Sequence, residues 1–443
     1  MGFIQGEDRG QGMLFPVTLE ELIPEDHLCR VIEAFVGRLD MVGLGFERAD
    51  PAETGRPGYD PRDLLKLYLY GYLQQIRSSR RLENECRRNV ELMWLLGRLV
   101  PDYKSIAEFR RIHCEAVTAA GAALVRFARS VGLVRGEWVA IDGSKFRAVS
   151  STRSVRERDA LRRYLNAIEE ADSNEEVVID HSAVAGALEK LRQHPEPEAR
   201  FMRTSGGHAP AYNVQTAVDA EHALIVAQKV TDEATDNRSL LPMAEAAQAA
   251  LGSLSQLNVV ADAGYSNGEQ AEACEGKGIL PHVPANRAIN NQGDGTLLDR
   301  TEFTYRPATD TFLCPVGQTL TRKQLHRKDR VVIYAASPES CADCPLKPRC
   351  TTSSQRFLSR HLHENALNRM QQRATPEAMR MRRSTVEHPF GTLKYRIFGH
   401  PRFLLRGIAG AQTEMSLATM AYNLKRMINV LGGSRLSCAL TAI

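Results

Sequence analysis

The sequence predicts an α/β fold: an all-α N-terminal domain over 1–135, a strand-and-helix core over 136–430, and two insertions within that core. Three observations carry this. The first 135 residues have helix caps and helix-period apolar stripes. At Glu137 the period changes, and Trp138-Val139-Ala140-Ile141 is a short apolar run of strand length, a texture that returns at Leu257-Asn258-Val259-Val260. Two stretches, 150–205 and 300–360, continue neither pattern and read as insertions.

In the N-terminal region, Asp60-Pro61 supplies an N-cap and a proline at the first helical position. A second helix starts at Ser78 or Ser79 and carries Arg80, Arg81, Arg87 and Arg88, with Leu82, Cys86, Val90 and Leu92 towards the core. Ser105-Ile-Ala-Glu108 reads as a capping box opening a third helix that runs to about Ser130. Short helices with outward arginines fit a helix-turn-helix-like DNA-binding module, and fit a plain bundle with solvated arginines as well.

In the core, the run ending at Ile141 leads into Asp142-Gly143-Ser144-Lys145, a buried strand that presents a carboxylate at its end. The first insertion is charged and helical. Ala211 to Asp219 is a strand, Glu221-His222 turns the chain, and Leu224 to Ala227 is its hairpin partner. A helix over about 237–251 precedes the second apolar run, which ends in Asp262. Ile279 to Val283 is another short strand. Residues 431–443 read as a loose tail.

Composition excludes several classes. The hydrophobic share is 43% and the charged share 25%, ordinary for a globular protein. The opening MGFIQGEDRGQG has no apolar segment of the secretory kind, and no apolar run approaches the length of a membrane span. The net charge of +4 is modest, but its distribution is not: basic residues concentrate over 77–111 and 380–406, and an acidic run covers 169–176. Nine cysteines, four of them clustered, point to a reducing cytoplasm and thiolate ligation rather than a disulfide framework.

Two strands end in aspartates, and a later basic stretch, from Arg382 to Arg396, holds one carboxylate, Glu387. Carboxylates at strand ends on one edge of a sheet can converge despite long separations in sequence. Three of them cannot all stay ionised without a cation, and hard oxygen ligands select Mg²⁺ or Mn²⁺. Two such ions about 3.5–4 Å apart would activate an attacking oxygen and stabilise a leaving one. In a helix, Arg383 and Lys394 share a face with Glu387 and would hold phosphate oxygens. Pro389 requires that helix either to kink or to begin near Ser384 or Thr385. Asp219, Asp232 and Asp236 compete as ligands. Asn213 and Gln215 could reach a phosphate or face solvent, and Tyr265 could stack on a base or simply pack. His388 and His400 read as ordinary histidines, with His388 also able to touch DNA.

Asp142 in VAIDGSKF, Asp262 in VVADAGYSN and Glu387 in STVEHPFGTLK resemble the DDE triad of bacterial insertion-sequence transposases. Arg383, Glu387 and Lys394 match the last three positions of the signature Tyr-x2-Arg-x3-Glu-x6-Lys, while Arg380 stands where that pattern has tyrosine. The resemblance implies an RNase H-like core with Asp142 on the first strand, Asp262 after the fourth and Glu387 on a following helix. It implies metal-dependent cleavage at transposon ends and strand transfer, with catalytic residues Asp142, Asp262 and Glu387 holding two Mg²⁺ or Mn²⁺ ions. The DNA contacts expected are Arg383, Lys394, Arg396, Arg80 and Arg81. The partners implied are double-stranded DNA, as terminal inverted repeats and target, and a second copy in a synaptic homodimer, in the cytoplasm at the nucleoid. Two other functions fit these residues: an RNase H-like DNA nuclease without strand transfer, and a zinc-containing DNA-binding regulator with an inactive core.

The clustered cysteines are Cys314, Cys341, Cys344 and Cys350. A close C-x2-C pair with two further thiols fits a structural Zn²⁺ site that would fasten an insert lacking a large core. Reduced thiols and an iron–sulfur cluster are the other readings.

Overall fold

The computed structural model describes residues 18–50, 58–172, 181–252, 256–285, 297–327 and 330–442. The opening twelve residues and the acidic side chains over 169–176 lie outside the described ones.

Six helices come first: α1 (Leu28–Gly37), α2 (Pro61–Leu73), α3 (Ser79–Cys86), α4 (Val90–Leu95), α5 (Tyr103–Ile112) and α6 (Cys114–Ser130). Asp60 caps α2 by accepting from the Arg62 N–H, with Pro61 at the first turn, as the sequence predicts. The third helix differs from expectation in two ways. Its cap is Asp102, which accepts from the N–H groups of Lys104 and Ser105, and the chain breaks at His113 (φ −100°, ψ 38°) into α5 and α6. The break is held by His113 itself. Its ring sits against Phe46 and Phe109, and its Nε2 accepts from the Glu47 N–H at 3.0 Å.

The core sheet contains β1 (Trp138–Arg147), β2 (Arg200–Thr204), β3 (Gly207–Asp219), β4 (Ile225–Thr231), β5 (Leu257–Val260) and β6 (Ile279–His282). β3 runs antiparallel to β1, and β4 continues the antiparallel hairpin outward. On the other edge of β1, β5 and β6 add in parallel. A three-stranded meander whose first strand is then extended by two parallel strands is the RNase H-like arrangement. α7 (Thr152–Asp172) and α8 (His181–Arg192) form the helical part of the first insertion. The insertion is not wholly outside the sheet, as read from its charges. It ends in β2, which pairs with Gly207–Ala211 of β3, the part of that strand that reaches beyond β4.

After β6 comes a second, antiparallel sheet: β7 (Thr304–Arg306), β8 (Thr311–Leu313), β9 (Thr319–His326), β10 (Val331–Ala335) and β11 (Phe357–His361), in the order β11-β10-β9-β8-β7. Short helices α11 (Pro338–Ala342) and α12 (Lys347–Cys350) lie between its last two strands. The core resumes with α13 (Glu364–Arg373), α14 (Pro376–Gly391) and α15 (Gly407–Leu431), while α9 (Leu240–Leu251) and α10 (Gly268–Glu275) flank the parallel edge. Residues 433–442 are not a loose tail. They form α16 (Gly433–Ala442), which buries Leu436 and Leu440, one helical turn apart, against α1. A Cβ on Gly433 would stand 2.1 Å from the Asp26 carbonyl oxygen, so glycine permits that docking.

The N-terminal helices and the core sheet share one continuous hydrophobic core, reaching from Ile23 to Leu440. α15 runs through it against both α2 and α6. Its fully buried Glu414 is the polar joint. The carboxylate faces Arg77 at 3.1 Å and Arg110 at 4.0 Å, and accepts from the N–H groups of Leu404 and Leu405 at 2.6 Å.

Candidate active site

β1 and β5 are parallel neighbours in a register that pairs Val139 with Val259 and Ala140 with Val260. Two residues further along each strand stand Asp142 and Asp262. The register therefore sets the two carboxylates side by side where β5 ends; Asp262 lies just past its strand as expected, whereas Asp142 is mid-strand, because pairing with β3 carries β1 on to Arg147. Asp262 also opens a 3-10 turn (Ala263–Tyr265) and accepts from the Gly264 N–H at 2.8 Å.

The cation between them is Arg382. Its Nη2 lies 2.8 Å from Asp142 Oδ1 and 3.5 Å from Asp262 Oδ2. Burial pushes the Asp142 carboxyl up to about 6; Arg382 opposes that shift, and Asp262 and Asp236 add to it. Sequence reasoning missed Arg382 and chose its neighbour Arg383. A signal was present: Ala378, Thr385, Val386 and Pro389 fall on one face at helical spacing and are buried, and Arg382 shares that face.

Of the three competing aspartates, Asp236 is the one that lies beside this site. It accepts from Asn213 Nδ2 at 2.7 Å and Gln215 Nε2 at 2.6 Å, and Lys145 Nζ stands 3.4 Å away. Asn213 and Gln215 are thus buried supports on β3 and neither face solvent nor reach outward for phosphate. Tyr265 is fully buried and donates to Gln215, which settles it as packing rather than a base-stacking platform. Gly143 makes this closeness possible, because a Cβ there would lie 2.4 Å from Gln215 Nε2 and 2.6 Å from Asp236 Oδ1. The other two competing aspartates are occupied elsewhere. Asp219 accepts from the N–H groups of Gly136 and Glu221, and Asp232 pairs with Arg200 at 2.7 Å.

α14 begins at Pro376, capped by Thr375, and runs through Pro389 to Gly391. The alternative of a start near Ser384 is therefore corrected, and Arg383 and Glu387 do lie on one helix. The proline leaves the Thr385 carbonyl without its helical donor. Just beyond it the chain widens into a π-turn (Thr392–Ile397), in which the Phe398 N–H reaches Leu393 O at 2.9 Å. Glu387 is exposed, about 140° round the helix from Arg382 at 100° per residue, and it forms no ion pair among the described residues. Arg383, Arg396, Arg80 and Arg81 are also exposed, with Arg80 lying over the Tyr103 ring at 5.1 Å. Lys394 is half-buried in the π-turn, 5.8 Å from the Phe146 ring. Burial lowers its ammonium, and the Asp142 charge acts against that lowering. His388 is exposed and lies 3.5 Å from the Tyr422 hydroxyl.

Two oxygens from different aspartates that converge on a single nitrogen fit a hard divalent ion as a donor set. The thiols fit less directly. Cys314, Cys341 and Cys350 pack against the small core of the second sheet, and burial followed by the other three thiols pushes the Cys350 thiol up. Among the described residues, however, only His27, Cys29 and Glu91 have ligand atoms all within 4.8 Å of one another. That group is not a convincing metal site. His27 Nδ1 accepts from the Cys29 N–H, which leaves the ring proton on Nε2, facing Glu91 at 3.5 Å.

Comparison with known families agrees with this geometry. Residues 17–111 match a transposase domain (DUF772), and residues 139–424 match the transposase DDE domain. The second match covers more than half of the chain, and the protein belongs to the DDE-domain transposases. No curated protein sequence matches it. Among solved structures it resembles a cryo-EM structure of a piggyBac transposase synaptic complex with hairpin DNA. The TM-score is 0.32 at 7% identity, over 94% of this chain and 76% of that one, a likeness too slight to bear on the site.

Proposed function

We propose that this transposase cleaves DNA at transposon ends and transfers the freed 3′ ends into target DNA, using Asp142, Asp262 and Glu387. The observation that carries the reading is the convergence of Asp142 and Asp262, from adjacent parallel strands, on one cation beside α14. Two Mg²⁺ or Mn²⁺ ions held there would supply an activated oxygen nucleophile and stabilise the leaving oxygen.

The chain's own residues do the remaining work. Asp142 is set by the register of β1, Asp262 follows the end of β5, and the buried Asp236–Asn213–Gln215 support packs against Gly143, next to Asp142. Glu387, exposed on α14, would be the third ligand that the resemblance implies. Arg383, Lys394 and Arg396 hold non-bridging phosphate oxygens near the site, and Arg80 and Arg81 contact the DNA backbone from α3. In the first step water attacks phosphorus and the P–O3′ bond breaks, releasing a 3′-hydroxyl. In the second that hydroxyl loses its proton, its oxygen attacks a target phosphorus, and a target 3′-oxygen leaves. Two copies bind paired terminal inverted repeats, in the cytoplasm at the nucleoid. Cys314, Cys341, Cys344 and Cys350 would hold a structural zinc in the second sheet.

Asp142→Asn, Asp262→Asn and Glu387→Gln proteins that fold and bind transposon-end DNA should each lose at least about 10³-fold in Mg²⁺-dependent cleavage. Cleavage at the wild-type rate by any of the three would remove that residue from the site. Capture of a cleaved 3′ end into a second duplex checks the transfer step.

A further inference from the structure

We propose that Arg382 is a resident counter-cation that competes with the divalent ion for Asp142 and Asp262. The inference rests on the metal-dependent reading above and adds a residue to it that neither the triad nor the signature contains.

The plainer alternative is a salt bridge that fastens α14 to the sheet. Three observations weigh against it. α14 is already fastened there by apolar contact, since Ala378 and Val386 pack with Ala140 of β1 and Val260 of β5 in a compact buried cluster. One nitrogen, Nη2, serves both carboxylates, while Arg382 Nε is buried with no hydrogen-bond partner. A bridge selected for holding strength uses its donors in parallel. At the contact itself one guanidinium faces two carboxylates, and the Asp262 side chain is 46% exposed and so open to an incoming ion. A divalent ion would neutralise the pair in full.

Arg382 thus keeps the two aspartates from repelling each other and sets the affinity that an incoming ion must exceed. Once displaced, its guanidinium remains at the edge of the same site. The nearest anion it could then meet is the phosphodiester that the ion has come to act on, so DNA and metal would each favour the other's binding.

The test is calorimetric titration of Mn²⁺ alone into the full chain, without DNA, for wild type, Arg382→Gln, Arg382→Lys and Asp142→Asn. Arg382→Gln should bind Mn²⁺ about tenfold more tightly than wild type, because a positive charge is removed at contact distance. Arg382→Lys keeps the charge but loses the fork, and should fall between them. It also serves if Arg382→Gln fails to fold, as judged by its melting curve. Affinity unchanged or weakened in the folded Arg382 variants, with Asp142→Asn still weakening the wild-type protein, overturns the role of Arg382 and leaves the metal reading standing. Mn²⁺ binding that Asp142→Asn does not alter overturns both.

Discussion

The six-stranded sheet belongs to a hydrophobic core that runs from Ile23 to Leu440, whereas the five-stranded sheet closes over Phe303, Phe312, Leu320, Val332, Tyr334, Ala336 and Leu358. The first can carry two adjacent carboxylates and a buried Glu414 because so much apolar burial supports them. The second has seven buried apolar side chains and four half-buried thiols. A sheet with so small a core relies on a staple more than a sheet in a large core does. The difference separates two uses of a cation. In the large core an ion would be needed for chemistry and not for folding. In the small sheet it would be needed for folding and not for chemistry.

The largest effect should come from breaking the joint of the large core. Glu414→Ala leaves Arg77 and Arg110 facing a cavity and frees the N–H groups of Leu404 and Leu405. Losing one partner of a buried ion pair costs about 3–5 kcal/mol. Urea denaturation should show that loss, with the N-terminal helices and the sheet unfolding together because they share the core. A variant in which the helices melt first while the sheet keeps its stability would show that the two regions are separate after all.

The zinc staple proposed above is tested next. Cys341→Ser with Cys344→Ser should remove one bound zinc per chain and speed proteolysis within 297–362 by about tenfold, since local opening tracks local stability. The unfolding free energy of the large core should change by no more than roughly 0.5 kcal/mol, the usual range for changes remote from a core. A shift as large as that of Glu414→Ala would join the two regions energetically.

These contrasts were unevenly legible in the amino-acid sequence. Asp142 and Asp262 stood out because each closes a short apolar run, and a buried strand leaves that signature locally. Arg382 did not, because Arg380, Arg382 and Arg383 are chemically alike and only helix phase, fixed by Thr375 and Pro376 far upstream, tells which one turns inward. Asp236 lies in a loop, where side-chain direction follows from tertiary contact and not from periodicity. β2 was hidden in a charged segment because its pairing depends on the length of β3, and α16 was hidden because it is short and begins on a glycine, Gly433, directly after Gly432. The break at His113 is invisible locally, since its cause is Glu47 and Phe46, more than sixty positions away in the chain.

That histidine provides the smallest and most local test. His113 Nδ1 lies 2.9 Å from the Phe109 carbonyl and donates to it, so Nε2 is the acceptor for the Glu47 N–H. A second proton would turn that acceptor into a donor aimed at an N–H. Burial lowers the His113 imidazolium, and the same cause lowers His282, whose ring is tilted 52° against Trp138 with centroids 4.7 Å apart. A histidine whose folded value is below its unfolded one, about 6.5, binds its proton more tightly in the unfolded chain. The stability it contributes is therefore complete above about pH 6.5 and is lost as the pH falls below that value. Through His113 and His282 the urea midpoint of the large core should drop between pH 7 and pH 5, against an opposing gain from Asp142, whose carboxyl burial holds up to about 6. His113→Gln, which offers an acceptor but no site for a second proton, should flatten part of that drop at some cost in stability at pH 7. Should the acid drop persist in full with glutamine at position 113, the loss belongs to the other histidines whose imidazolium burial lowers, His194, His282 and His361, and not to the break between α5 and α6.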